Sequence, residues 1–399
     1  MALVVIPSGS EESFWDVETL RTLKLNHYQE FRFVDKPSTS MREDHQRKMT
    51  EATVKNGKSK ARIIDADGHV RETDEEIIEY MPAGYRSRRA AMLYFPLTPH
   101  HGWHRSIPAN DFRRQDFRVP DWREWASKLD EGGFELTVLY PTRFMHIGQI
   151  GNPPYVVELC RAYNDYLHDK FLVHDRRFRG IALLPLQDPP AAVKELRRAV
   201  NKYGMLGGIL PAEGLALPLG HRHFWPIYQE ADKLGCALSI HSCNSLRDND
   251  RYLVPNEAAT LTHVIPQMRQ FTNIIFSGVM NKLKHLRLGF LEAGSGWVAF
   301  LMNKIEERLE RVRPNERPVL PSELIAHKKL YFQCGEEITT KRDVELLGDD
   351  CLLWASDFPH EATRTDMRAL VKEHFARKDL SREAKKKIIY DNAKRFYRL

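Results

Sequence analysis

No stretch of this chain approaches the roughly eighteen consecutive apolar residues that a membrane-spanning helix needs, so no membrane span is expected. Residues 1–7 are apolar, but the run is too short for a secretory signal and lacks its basic start. Cysteine is scarce: there are five, an odd number, with no Cys-x-x-Cys pair. That argues against a disulfide scaffold and against a structural zinc knuckle, and makes a reducing cytoplasm the simplest home. Cys160, Cys236, Cys243, Cys334 and Cys351 lie mostly in or beside apolar runs and read as small buried hydrophobes. Neither a Gly-x-Gly-x-x-Gly turn nor a phosphate-binding loop follows an early strand, which weighs against a nucleotide-binding sheet. One-sided charge is missing too. A net charge of +6 over 399 residues fits an anionic substrate and is too mild to suggest nucleic acid.

What is present is organised around residues 62–70. Ile63 and Ile64 are β-branched and start a buried strand. Asp65, Asp67 and His69 then arrive at period two, with the small residues Ala66 and Gly68 between them. An extended chain puts alternate side chains on one face, so Asp67 and His69 can address one divalent metal. Residues 1–61 read as an extension: 37–60 is rich in Lys, Ser, Thr and Glu, and in an oligomer it would serve as an interface arm. Residues 62–399 carry the core, with an irregular insertion around 83–120 that contains His100, His101 and His104.

Seven further strands are expected at 134–141, 179–186, 205–211, 236–242, 286–294, 329–334 and 351–357. Helices are expected at 73–81, 154–168, 190–202, 224–234, 258–272, 297–311, 365–376 and 381–397. Eight strands spaced by helices predict a closed (β/α)₈ barrel rather than an open doubly wound sheet. The polar residues favour closure. Asp67 and His69 end the first strand, His241 the fifth, Glu292 the sixth and Asp357 the eighth, and these ends converge only in a barrel.

Three motifs carry a resemblance over residues 62–399: Asp65-Ala66-Asp67-Gly68-His69; Ser277-Gly278-Val279 with Leu291-Glu292-Ala293-Gly294-Ser295-Gly296-Trp297; and Trp354-Ala355-Ser356-Asp357-Phe358-Pro359-His360. The chain resembles the amidohydrolase-related metal enzymes that include aminocarboxymuconate semialdehyde decarboxylase and resorcylate decarboxylase. The resemblance implies a distorted (β/α)₈ barrel of the amidohydrolase superfamily, with a divalent metal at its carboxyl face. It implies Asp67 and His69 as ligands from the first strand, His241 from the fifth, and Asp357 as a carboxylate that binds metal or handles a proton. Glu292 stands where the semialdehyde decarboxylase carries a catalytic histidine.

The metal is expected to be zinc or manganese if one ion binds. Glu292, Glu72 and His360 offer enough further donors for two, and an oxygenase branch of the superfamily would then imply iron with iron, or manganese with iron. Arg247 and Arg364 follow metal-binding strands and are candidates to clamp a substrate carboxylate. Asp357, Glu292 and His360 are the candidate catalytic groups. The function expected is hydrolysis or non-oxidative decarboxylation of a small, carboxylate-bearing substrate. The alternatives are a dinuclear monooxygenase and a subunit of a hetero-oligomeric enzyme. A homo-oligomer, or a hetero-oligomer with a homologous subunit, is the expected assembly.

Overall fold

The computed structural model describes residues 61–86, 119–243, 260–335, 338–360 and 365–399. Arg247, Arg364, the histidines at 100–104 and most of the 83–120 insertion lie outside the described residues.

Nine strand segments make the barrel wall. They are β1 Ile64–Val70, β2 Leu136–Pro141, β3 Phe178–Gly180, β4 Ala182–Leu183, β5 Gly207–Pro211, β6 Ala237–His241, β7 Arg287–Leu291, β8 Leu330–Gln333 and β9 Leu352–Leu353. Each pairs in parallel with its neighbours, in the orders β1-β2-β3 and β4-β5-β6-β7-β8-β9. The strands are buried on both faces because helices cover the outside and packed side chains fill the inside.

The ring closes between the last strand and the first. Ala66 N–H donates to Trp354 O at 3.3 Å, Asp357 N–H to Asp67 O at 3.0 Å and His69 N–H to Phe358 O at 2.8 Å. The third expected strand is broken at Ile181, whose N–H donates to Leu139 O at 3.1 Å; β3 therefore pairs back to β2 and β4 forward to β5. Pro185, which has no N–H to give a ladder, stops this strand early. The architecture is thus an α/β barrel of eight positions, distorted at the third.

Local chemistry sets most helices. The helix α1, Asp74–Tyr80, opens on a Thr73–Glu76 capping box, and Pro82 follows its end. A helix not expected from the sequence, α2, spans Trp122–Gly132 between the Asp121 cap and a left-handed Gly133. It buries Trp125 and Leu129, and Trp125 Nε1–H donates to His69 O at 3.1 Å. Of the helix expected at 258–272, residues 258–259 lie outside the described residues and 260–262 are helical; Val264–Ser277, here α3, carries it past the expected end. Phe271, Ile274 and Ile275 extend its buried face, and Gly278 at φ 70° ends it. The five cysteines are all free and buried. Among the described residues no helix is long and apolar enough to cross a membrane.

Candidate metal centre

β1 delivers its polar residues to two different places. The ladder slips between Asp65 and Gly68, and Asp65 turns toward the end of the barrel's last strand. Its carboxylate accepts from Ser356 N–H, Ser356 Oγ–H and Thr137 Oγ1–H, each at 2.8 Å. Burial pushes the Asp65 carboxyl up to about 6, against the pull of those three hydrogen bonds. Gly68 makes the slip possible: a Cβ there would stand 2.6 Å from both Thr137 Oγ1 and the Trp125 ring.

Asp67 and His69, both fully buried, face one point with His241 from the end of β6. Two backbone carbonyls orient the imidazoles. His69 Nδ1–H donates to Pro141 O at 2.9 Å, and His241 Nδ1–H to Ser242 O at 2.9 Å. Each Nε2 is thereby turned inward, the arrangement metal-bound histidines require. His69 Nε2 lies 3.3 Å from Asp67 Oδ1 and 3.4 Å from Asp357 Oδ1, while His241 Nε2 lies 3.2 Å from Asp67 Oδ2. Burial opposes charge on Asp67, but the two imidazoles more than offset it and hold the carboxyl well below the usual range. In return, Asp67 raises His241 to about 9 although burial lowers it.

Asp357 and Glu292 reach the same space from backbones with φ of 54° and 60°, in the left-handed region that side chains seldom occupy. Strand ends bent in this way aim both carboxylates into the barrel mouth. Gln333 Oε1 accepts the Glu292 N–H at 2.7 Å and holds that bend. Glu292 Oε2 is 3.5 Å from His241 Nδ1 and 3.9 Å from His263 Nε2, and Oε1 is 3.8 Å from His360 Nδ1. His360 Nδ1 is 3.0 Å from Asp357 Oδ1, and its Nε2 is 2.9 Å from Thr142 Oγ1. Burial keeps the Glu292 carboxyl from falling further, yet His360, His263 and His241 draw it down to about 2.

Asp67 Oδ1, His69 Nε2 and Asp357 Oδ1 are buried without a hydrogen-bond partner. Orphaned acceptors of this kind cost about 1–3 kcal/mol each when nothing occupies the space between them. Two carboxylates and two inward-facing imidazoles fit a divalent cation, and suit manganese or zinc better than soft metals. A second donor group, His69, Asp357 and His360, lies beside the first.

Most residues expected at the site are brought together there. Among the described residues Glu72 is the exception: its Oε2 accepts Thr142 N–H at 3.2 Å and its Oε1 accepts Phe144 N–H at 2.9 Å. It caps the turn that carries Thr142 and so supports His360 from behind; an acidic residue near a strand end looks the same in sequence whether it caps or ligates. His263 and Thr142 were not expected. Each stands alone outside any motif, and only the closed barrel brings them near Glu292 and His360.

The amidohydrolase family model matches residues 64–399. The γ-resorcylate decarboxylase of Polaromonas sp. is 24% identical over 312 residues, covering 73% of this chain and 92% of that protein. A 2-amino-3-carboxymuconate-6-semialdehyde decarboxylase of Dictyostelium discoideum is 26% identical over 251 residues, covering 60% of this chain and 66% of that protein. Among solved structures, 2,6-dihydroxybenzoate decarboxylase in complex with 2,6-dihydroxybenzoate superposes with a TM-score of 0.65 at 18% identity, covering 86% of this chain and 100% of that one. The 5-carboxyvanillate decarboxylase of Novosphingobium aromaticivorans, with manganese bound, gives 0.66 at 18% identity, with 86% and 98% covered. Since the family model extends from the first metal-facing strand to the last residue, this chain belongs to the amidohydrolase family, as one of its metal-dependent enzymes.

Proposed function

We propose that the chain catalyses non-oxidative decarboxylation of a small aromatic or enolic acid, with Asp67, His69, His241 and Asp357 holding one divalent cation. The observation that carries this is the set of three orphaned buried atoms, on Asp67, His69 and Asp357, beside the Nε2 of His241. The bound cation supplies Lewis acidity that draws electron density from the substrate's carboxylate and neighbouring oxygen. Manganese is favoured, since the 5-carboxyvanillate enzyme of this fold holds it.

The chain's own groups supply the rest. Burial lowers the His360 imidazole, but Asp357 and Glu292 outweigh burial and raise it to about 10. His360, with Nδ1 3.0 Å from Asp357 Oδ1, is placed to give its Nδ1 proton to the carbon from which CO2 departs. As the carbon–carbon bond breaks, its electron pair stays on that carbon and takes the proton. Solvent then reprotonates His360. Thr142 and Glu72 keep the imidazole in place, and the walls of the barrel exclude bulk water.

One feature supports a second reading. His69, Asp357 and His360 form the adjoining donor group, with Glu292 and His263 close by, which is enough for two redox-active ions and dioxygen chemistry. We also take residues 1–61 as an extension outside the catalytic barrel, since the family match starts at residue 64. The test is a panel of hydroxybenzoates, led by 2,6-dihydroxybenzoate, offered to manganese-loaded protein while CO2 and O2 are followed together. CO2 release without O2 uptake, abolished by a chelator, is expected. Uptake of O2 coupled to turnover would move the assignment to the oxygenase.

A further inference from the structure

We infer that Arg71 is the residue that recognises the substrate carboxylate. The inference rests on the carboxylate-substrate reading above and extends it to a residue that sequence motifs do not single out.

The starting point is the period of β1. Asp67 and His69 share the face that looks into the barrel, and the next residue at that spacing is Arg71, just beyond the strand at its carboxyl end. Its guanidinium is half-buried, and Nη2–H donates to Pro359 O at 2.8 Å. Pro359 lies between Asp357 and His360 in sequence, so this bond pins the guanidinium to the segment carrying both groups.

The partner is a neutral carbonyl. No carboxylate ion-pairs with Arg71 among the described residues, whereas several other part-buried arginines have one. Arg143 is matched by Asp74 at 2.9 Å, Arg177 by Asp175 at 2.7 Å and Arg198 by Glu195 at 2.6 Å. A partly desolvated guanidinium with most of its N–H groups uncommitted is matched in charge and shape to a carboxylate, which it can take through two parallel hydrogen bonds. At the mouth of a site built for an anionic substrate, that carboxylate is the substrate's. Arg71 binds and orients; it takes no part in proton transfer.

The test uses the full chain loaded with manganese. Binding of 2,6-dihydroxybenzoate and of its uncharged amide is measured by calorimetry for the wild type, Arg71→Met and Arg71→Lys, with manganese content recorded for each. Arg71→Met should weaken binding of the acid about 10- to 100-fold, the worth of a charge-assisted hydrogen-bonded pair, and leave amide binding and manganese content unchanged. Arg71→Lys should recover part of the loss. Equal loss of both probes, or loss of manganese, would make Arg71 a structural tie and overturn the inference. Unchanged acid binding in Arg71→Met, beside a wild type that prefers acid to amide, would overturn it while leaving the carboxylate reading intact. A wild type that binds neither probe would remove the carboxylate reading, and the inference with it.

Discussion

Asp65 and Asp67 are the same residue type, two positions apart on one strand, and their surroundings give them separate work. Asp67 faces two imidazoles and keeps an oxygen without a hydrogen-bond partner; Asp65 spends its carboxylate on Ser356 and Thr137. Replacement therefore has opposite signatures. Asp67→Ala should leave the fold intact, strip the metal as read by elemental analysis, and lower turnover by at least about 100-fold. Asp65→Ala keeps every ligand but strands three donors in the interior, so denaturant unfolding should show a loss of about 3 kcal/mol or more. That Asp67, His69, His241 and Asp357 come together could be read from sequence because an acid or imidazole ending an apolar strand is costly to bury unless a charge or a metal pairs with it. For Glu72 the sequence leaves capping and ligation both open, because the backbone N–H groups that claim it, of Thr142 and Phe144, lie 70 and 72 positions away in the chain.

Elements beyond the site also hold it in place. Tyr397, in the helix Asn392–Tyr397, donates its O–H to Ala66 O at 2.6 Å, beside the first metal-facing residue. With that proton committed, Tyr140 O–H donates to Tyr397 at 2.7 Å and Ser239 Oγ–H donates to Tyr140 at 2.6 Å, a buried chain running in one direction. Tyr397→Phe interrupts it and should lower stability by about 1–3 kcal/mol while weakening metal binding, a coupling that a peripheral helix would not show. Nearby, His374 in the helix Met367–Ala376 is buried, with Nε2 2.9 Å from Lys385 O. Burial lowers its pKa below the ordinary 6.5. A depressed histidine contributes stability that is fully present above 6.5 and is lost as pH falls through the folded value. His374→Gln keeps a donor without a titration, so its melting temperature should fall less than the wild type's between pH 7 and 5. Strand and helix identities were largely legible from apolar runs and punctuating Gly and Pro. The break at Ile181 was not, because it depends on pairing with β2 and β5, and α2 was hidden beside an irregular insertion.

At the scale of the molecule, barrel closure is what turns a linear set of strand ends into a site. Backbone hydrogen bonds between β1 and the segment after β9 bring Asp67 and Asp357 within reach of His69, although 290 positions separate the two aspartates in the chain. Closure was foreseeable from the polar endings alone, since an open sheet would scatter them. A ligand that binds only the closed ring should stabilise it: manganese at about 100 times its dissociation constant should add about 2.7 kcal/mol, removable by chelation. The central claim is one divalent cation held by Asp67, His69, His241 and Asp357, and metal content per chain tests it most directly. Protein purified without oxygen in the presence of manganese and iron should carry about one divalent ion per chain, and the double variant Asp67→Ala, His241→Ala essentially none. Two ions per chain in the wild type, or an ion retained by the double variant, would contradict the account.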